Sequence, residues 1–307
     1  MTTLQFHETT WEELHAVLDL QLHHVSAEQR EERILGLKSI LLQEAENTGS
    51  DVCPGLYHWR RHGKIAGVLH TFLRPDKTIL ALPPSIAPDE PESILRILYS
   101  RLCDDAVKHH SPTVMIFVDR ERELDKIYSA EAGFEKISEL LYLVSQEEDF
   151  PRTPPMEQLR FTPYRRNDWL KMVDLVEQTY AGTQDFPTLI GICPTEEILK
   201  GYMESHPFQP ELWFFIEREQ EMAGTLLLTQ WEQPELFELT YLGLTPQFRG
   251  QKLSSEIIRF AQYVTFLRHG RQLTVSVDMQ NIPAVKSYHK TNFLLYDSKE
   301  IFVRFFR

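Results

Sequence analysis

The sequence predicts an α/β protein made of two similar units in tandem, on three observations. Strand-like apolar runs and helical patterns follow one another in the same order in both halves of the 307 residues. The halves close alike, KIYSAEAGFEKISELLYLV matching KSYHKTNFLLYDSKEIFVRFF. Between them QEEDFPRTPPMEQLR, Gln146 to Arg160, is rich in charge and proline, lacks periodicity and reads as a linker. A matched order across about eight elements is the mark of an internal duplication. The predicted limits are a first domain at 1–147, a linker at 148–159 and a second domain at 160–307.

In the first half, amphipathic helices at 11–22 and 28–46 precede the strands GLYHWRR (55–61), KIAGVLHTFL (64–73) and TILAL (78–82). A helix at 92–109, the strand TVMIFVD (113–119), a helix at 124–132 and two short strands, FEKIS and ELLYLV, complete it. The second half opens with the strand RFTPY (160–164) and a helix at 167–180, with Asp168 near its start. A helix at 194–204 and strands at 211–219, 222–230 and 236–244 follow. The next helix carries Leu253, Ile257, Phe260, Ala261, Val264 and Leu267 on one face at helical spacing. The strand QLTVSVD (272–278), a helix at 283–291 with Pro283 in its first turn, and the strands FLLYD and EIFVRFF finish the chain.

Composition narrows the function. The chain is 42% hydrophobic and 25% charged, ordinary for a globular protein. Its formal net charge of −13 is the wrong sign for a general nucleic-acid binder and speaks against an RNA-borne donor. A local basic site for a small anion remains open, and the acidic remainder weakly favours an amine substrate. No apolar run is long enough to span a bilayer, and the N-terminus lacks the basic and apolar regions of a signal peptide, so no membrane association is expected. Cys53, Cys103 and Cys193 are far apart, odd in number and without CxxC spacing, which favours a reducing cytoplasm. The His23-His24 and His109-His110 pairs lack the i, i+4 spacing of a metal site, and no metal is expected.

The stretch LGLTPQFRGQKLSSEIIRFAQ, Leu242 to Gln262, carries the strongest functional signal. A strand ends in Thr-Pro, a short basic and polar turn follows, and then a helix begins. The first amides of a helix have no intrahelical partner, and a turn before them can aim further donors the same way. The helix dipole reinforces the attraction, and Arg249 and Lys252 add positive charge, so the stretch suits a phosphate. Aligning Leu80-Ala81-Leu82 with Leu242-Gly243-Leu244 puts PPSIAPDEPES in the same place in the first half. Pro88 and Pro91 have no amide hydrogen, and Asp89, Glu90 and Glu92 repel anions, so no phosphate ligand is expected there.

These residues bring a family into view. The second half, about 160–307, resembles the GNAT family of N-acetyltransferases, whose acetyl-CoA motif is written (Arg/Gln)-x-x-Gly-x-(Gly/Ala) after the fourth strand. Arg249-Gly250-Gln251-Lys252-Leu253-Ser254 stands at that motif. Leu-x-Leu-x-Pro-x-x-Arg-Gly, Leu242 to Gly250, fits upstream, and Asn281, Ala284, Tyr288 and Phe293 fit downstream. The first half resembles the same fold with its cofactor motif lost. The resemblance therefore implies two tandem GNAT-like domains, each a mixed, mostly antiparallel sheet flanked by helices. Three positions depart from the pattern: Lys252 and Asn292 stand where glycine is usual, and Ser254 where glycine or alanine is. A positive φ at residue 252 would disfavour lysine, whereas an outward side chain would leave its amide to a phosphate.

The resemblance also implies the chemistry: direct transfer of an acetyl group from acetyl-CoA to the amine of a small molecule. The backbone at Leu242 and Leu244 would meet the pantetheine and the thioester oxygen, and Arg249 with Gly250, Gln251, Lys252, Leu253 and Ser254 the pyrophosphate. Asn281 would contact the cofactor or cap the helix near Pro283. Tyr288 is the candidate general acid, since a phenol of pKa about 10 is protonated at neutral pH. Glu238 is the candidate base, on the same strand face as Thr240, Leu242 and Leu244 by alternation. Four residues of strand separate it from Leu242 by about 13 Å, which calls for a water relay. Gly243 suits a strand that is closely approached. The resemblance also implies that the loop 180–192 would border the acceptor site, with Tyr180, Asp185 and Phe186 shaping a pocket there or simply packing. The competing function is a non-catalytic acyl-CoA-binding or regulatory protein on the same scaffold, and the acceptor is not identified by any motif.

Overall fold

The computed structural model describes residues 5–74, 77–155, 158–204 and 208–306. The chain forms two compact units, one of Met1–Lys136 with Glu300–Arg307 and one of Ile137–Lys299.

The first unit contains strands β1 (Phe6–Glu8), β2 (Leu56–Arg61), β3 (Lys64–Leu73), β4 (Ile79–Ala81), β5 (Ser85–Ile86) and β6 (Thr113–Asp119). Its helices are α1 (Leu14–Gln21), α2 (Ala27–Thr48), α3 (Ile94–Lys108) and α4 (Glu123–Glu131). Strands β1 to β4 pair antiparallel in order, and β6 joins β4 in parallel. Leu95, Leu98, Leu102 and Ala106 recur at helical spacing on α3 and pack against Val114, Ile116 and Val118 of β6. The proline-rich stretch follows β4. It runs on as β5, pairing Ser85 with Val68 and Ile86 with Gly67, and Ala87 then donates its amide to Ala66.

The second unit takes β7 (Glu135–Gln146, from Ile137 on), β8 (Arg160–Pro163), β9 (Trp213–Arg218), β10 (Glu221–Gln230), β11 (Leu236–Leu244) and β12 (Gln272–Asp278). Its helices are α5 (Trp169–Tyr180), α6 (Thr195–Glu204), α7 (Ser254–Leu267) and α8 (Ile282–Lys290). Strands β8 to β11 are antiparallel neighbours, β12 lies parallel to β11, and β7 closes the order antiparallel to β12. Alternation along β10 divides the core: Leu226 and Leu228 face the cluster under α7, and Leu227 faces the cluster under α5. The last strand, β13 (Leu294–Phe305), begins in this unit and ends in the first.

Each unit therefore takes strand residues from the other half of the sequence. Leu141 and Leu143 of β7 are buried with Leu273, Val275 and Ile257, while Phe302 is buried among the first unit's α3 and β6 residues. The segment 148–159 falls inside the second unit and does not divide the two; of it, residues 156 and 157 lie outside the described ones. FEKIS and ELLYLV form the single strand β7, and FLLYD and EIFVRFF the single strand β13. No glycine or proline interrupts either run, so nothing forces a turn. β1 and β5, of 3 and 2 residues, are too short to show a period.

Candidate active site

The site lies in the second unit, where β11 and β12 part. Their pairing covers Leu236↔Gln272, Phe237↔Leu273 and Glu238↔Thr274 and stops, although β11 continues to Leu244 and β12 to Asp278. On its other edge β11 stays paired with β10 as far as Leu244↔Gly224, and the Thr245 amide then donates to the Ala223 carbonyl. Successive strand residues point their amides to opposite edges, so those of Leu242 and Leu244 face the opening. Gly243 has no room for a side chain: a Cβ there would lie 2.6 Å from Thr179 Oγ1 and 2.8 Å from the Tyr241 hydroxyl. The Thr179 hydroxyl donates to the Val176 carbonyl and receives the Tyr241 hydroxyl at 2.6 Å, seating α5 on β11.

A single 3-10 turn, Pro246–Phe248, leads from β11 toward α7. Gly250 and Lys252 both have positive φ, +74° and +61°. Among the described residues, nothing accepts from the backbone amides of residues 250–255, and no side chain caps α7. A continuous run of amide donors thus opens the helix, anchored by the buried Leu253. The left-handed conformation that favours glycine at residue 252 is present, and an exposed lysine adopts it. Asn292, the other position usually held by glycine, has φ +64°, which asparagine tolerates. Ser254 and Ser287 bond through their hydroxyls at 2.8 Å, joining the start of α7 to α8. The Gln251 side chain turns back, donating to the Gln247 carbonyl at 2.6 Å and accepting from Arg218.

The Arg249 side chain supplies no mobile charge, contrary to the expectation from the motif. Its Nε donates to Leu244 O at 3.0 Å, Nη1 to Ala181 O at 2.7 Å and Nη2 to Thr179 O at 2.5 Å. The guanidinium satisfies carbonyls at the C-terminal end of α5, which have no helical partner, and fastens them to the end of β11.

Helix α8 supplies Tyr288. Asn281 caps it, accepting from the Ala284 amide at 3.4 Å, and its Nδ2 donates to Asp185 Oδ1 at 3.5 Å. Tyr288 lies two turns further along the same face, buried against Phe293, with no hydrogen-bond partner for its phenol among the described residues. Burial, and after it the Asp185 charge, push that phenol well above its ordinary pKa, so it stays protonated. The buried Asp278 carboxylate accepts from the Ser138 hydroxyl, from the Gln280 amide at 2.8 Å and from the Phe186 amide at 3.0 Å. Asp185 in turn accepts from the Asp278 amide at 3.4 Å. These bonds pin the loop after α5 to the end of β12. Asp278, Thr179 and Tyr241 were not picked out from the sequence; an acidic residue ending a strand that faces the opening was the available signal for Asp278.

Glu238 stands where the strands part, but it does not share a face with Leu242. The register of β10 and β11 shifts by one residue: Leu227 opposes Tyr241 and Leu228 opposes Leu239, leaving Thr240 as a bulge. Leu239, Leu242 and Leu244 consequently face α7, Tyr241 faces α5, and Glu238 points to the α5 side. The alternation read from the sequence is corrected here, because one extra residue flips everything beyond it. The carboxyl of Glu238 is pushed up by burial, against the opposing effect of a hydrogen bond from the Trp231 indole.

A cavity of about 590 Å³ lies at the other end of β11 and β12, lined by Glu147, Glu148, Glu235, Arg271 and Gln272 among others, and takes in none of Glu238, Leu242, Leu244, Asn281, Tyr288 or the turn 249–254. Among the described residues no cluster of His, Cys, Asp and Glu could hold a metal, and no helix is long and apolar enough to cross a membrane.

Comparison with solved structures places this fold. A GCN5-related N-acetyltransferase from Sphaerobacter thermophilus matches with a TM-score of 0.70 at 13% identity, covering 98% of this chain and 95% of that one. A GCN5-related glucosamine N-acetyltransferase region of a fungal multi-domain β-N-acetylglucosaminidase matches with a TM-score of 0.65 at 12% identity, over 99% of this chain and 38% of that one. A tandem GNAT protein from the clavulanic acid biosynthesis pathway matches with a TM-score of 0.59 at 13% identity, over 99% and 98%. No curated protein matches the sequence. Residues 180–293, which hold the parted strands, the turn and α8, match the acetyltransferase (GNAT) family, whose chemistry is acyl transfer from an acyl-CoA. The chain therefore carries an acetyltransferase domain of the GNAT family within a tandem GNAT fold.

Proposed function

We propose that this protein is an N-acetyltransferase that uses acetyl-CoA to acetylate the amine of a small molecule by direct attack. The observation that carries the reading is the run of unpaired amides at 250–255 beside the parted edge of β11. Such amides suit a diphosphate, since they cost no reorganisation and lie at a helix N-terminus. In this reading Gly250 to Ser254 hold the pyrophosphate by backbone alone, and Leu244 and Asn281 hold the arm that follows. The Leu242 amide donates to the thioester oxygen as it gains charge, a contribution of about 3 kcal/mol for a fixed donor. Tyr288 protonates the departing sulfur. Glu238, turned to the α5 side and about 13 Å along the strand from Leu242, acts on the acceptor through water.

Isothermal titration of the intact protein with acetyl-CoA, followed by thiol release across a panel of amines, tests this. Binding and amine-dependent thiol release are expected. Tyr288→Phe should keep cofactor affinity and slow turnover by about 100-fold or more. Absence of binding at high micromolar acetyl-CoA contradicts the reading, and equal rates for Tyr288→Phe at saturation remove the role given to that phenol.

A further inference from the structure

Both units build the same junction between a hairpin and the turn that leads into a helix. In the second unit β10 carries one extra residue, Ala223, since Met222 opposes Glu217 and Gly224 opposes Ile216. The Ala223 carbonyl accepts from the Thr245 amide at 3.0 Å and from the Thr245 hydroxyl at 3.3 Å, which ties the β9–β10 hairpin to the turn before α7. In the first unit Ala66 is the extra residue of β3, and its carbonyl accepts from the Ala87 amide at 2.9 Å, which ties the β2–β3 hairpin to the turn before α3. Each hairpin ends its first strand on an arginine: Arg61 opposes Lys64, and Arg218 opposes Glu221.

The two arginines are used differently. Arg61 forms an ion pair at 3.0 Å with Glu90, in the turn before α3, whose side chain is only 5% exposed. The first unit thus supplies its own anion. In the second unit no carboxylate pairs with Arg218 among the described residues, and Glu217 beside it meets Arg160 instead. The turn before α7 offers Arg218 a neutral partner: its Nη1 donates to Oε1 of Gln251, whose Nε2 donates in turn to the Gln247 carbonyl. This chain of bonds holds the guanidinium at the turn and leaves its other N–H groups without a partner among the described residues. Arg249 is the reverse case, with all three nitrogens engaged by carbonyls. The hairpin that carries Arg218 is tightly set, since Glu219 and Gln220 both have positive φ, +51° and +72°, and neither is glycine.

We infer that Arg218 is the cation of the diphosphate site and that Gln251 positions it, so that the ligand's phosphate serves as the anion that Glu90 provides in the first unit. The inference rests on the acyl-CoA reading. The amides of residues 250–255 offer partial charge alone, and Arg218 adds a full charge in a planar fork that suits phosphate oxygens. The chain's net charge of −13 otherwise repels such a ligand. A carboxylate at residue 251 would close the ion pair within the protein, as in the first unit; the glutamine holds the arginine without neutralising it.

Isothermal titration of the full chain with CoA and with 3′-dephospho-CoA tests this. Arg218→Gln should weaken both ligands by about tenfold or more, because both carry the diphosphate. Arg218→Lys should restore part of the affinity, which a purely structural role would not produce. Gln251→Ala should weaken both by about threefold and add no further loss to Arg218→Gln. An Arg218→Gln protein that binds both ligands as the wild type does overturns the inference and leaves the acyl-CoA reading standing. A loss confined to CoA also overturns it, since that would give the arginine to the 3′-phosphate. Additive losses in the double variant remove the positioning role of Gln251. A wild type that binds neither ligand removes the acyl-CoA reading and this inference together.

Discussion

Lys252 carries backbone strain at the head of α7. Its φ of +61° lies where glycine is at ease and lysine is not, at a cost on the order of 1 kcal/mol. Only its amide faces the run of donors, so its side chain is free to vary. Lys252→Gly should raise stability by about 0.5–1 kcal/mol after the greater freedom of the unfolded glycine is allowed for, with acetyl-CoA affinity retained. Chemical denaturation with titration of the cofactor checks both; a destabilised variant would contradict the strain. A second residue contributes to acid sensitivity. His70 is fully buried beside Phe72, neither ring nitrogen has a hydrogen-bond partner among the described residues, and burial pulls its pKa down to about 3. The unfolded chain takes up a proton near pH 6.5 that the folded chain refuses until about 3, so stability falls as pH drops through that window. His70→Leu should flatten the decline of Tm between pH 6.5 and 4.5, and an unchanged slope would rule His70 out. The sequence marked Tyr288, Asn281 and Gly250 as candidates because motif spacing is local. It could not reveal how Arg249 is used, because the carbonyls that take its charge lie 68 and 70 residues away.

At the scale of elements, the opening depends on three arrangements: the early end of the β11–β12 ladder, the bulge at Thr240 and the clamp of α5 onto β11. The bulge is silent in LFELTYLGL, where Phe237, Leu239 and Tyr241 alternate as an unbroken strand would; pairing with β10, not residue type, inserts the extra residue. The clamp is built by Gly243, which admits Thr179 and Tyr241, and by Arg249, which ties the last carbonyls of α5 to Leu244. Arg249→Ala removes three charge-assisted bonds and should cost about 2–4 kcal/mol of stability. Any loss of cofactor affinity should follow from the loosened turn. An Arg249→Ala protein as stable as the wild type, binding acetyl-CoA weakly, would return the guanidinium to the phosphate.

For the whole molecule, the duplicated pattern of strands and helices was legible, since each element's period is written in neighbouring residues. The ownership of the last strands was not, because strand pairing joins residues distant in sequence. β7 lies against β12 in the second unit through seven pairs, from Gln272↔Gln146 to Asp278↔Leu140. Gln262 adds bonds to Ser145 and to the Thr291 carbonyl. A fragment of residues 160–307 would strip this strand away, exposing the edge of β12 and the pockets of Leu141 and Leu143, each buried leucine contributing about 1.5–3 kcal/mol. It should aggregate or lack a cooperative thermal transition, whereas a fragment from residue 137 should retain one. A 160–307 fragment that melts at the full chain's Tm would contradict this account of the unit.

The central claim is that backbone amides at the head of α7 grip the diphosphate of the cofactor. A crystal structure of the full chain grown with saturating CoA tests it most directly. The account predicts phosphate oxygens within hydrogen-bond distance of the amides of residues 250–255, with the Arg249 guanidinium still on its three carbonyls. Diphosphate bound elsewhere, or those amides facing water at saturation, would contradict it.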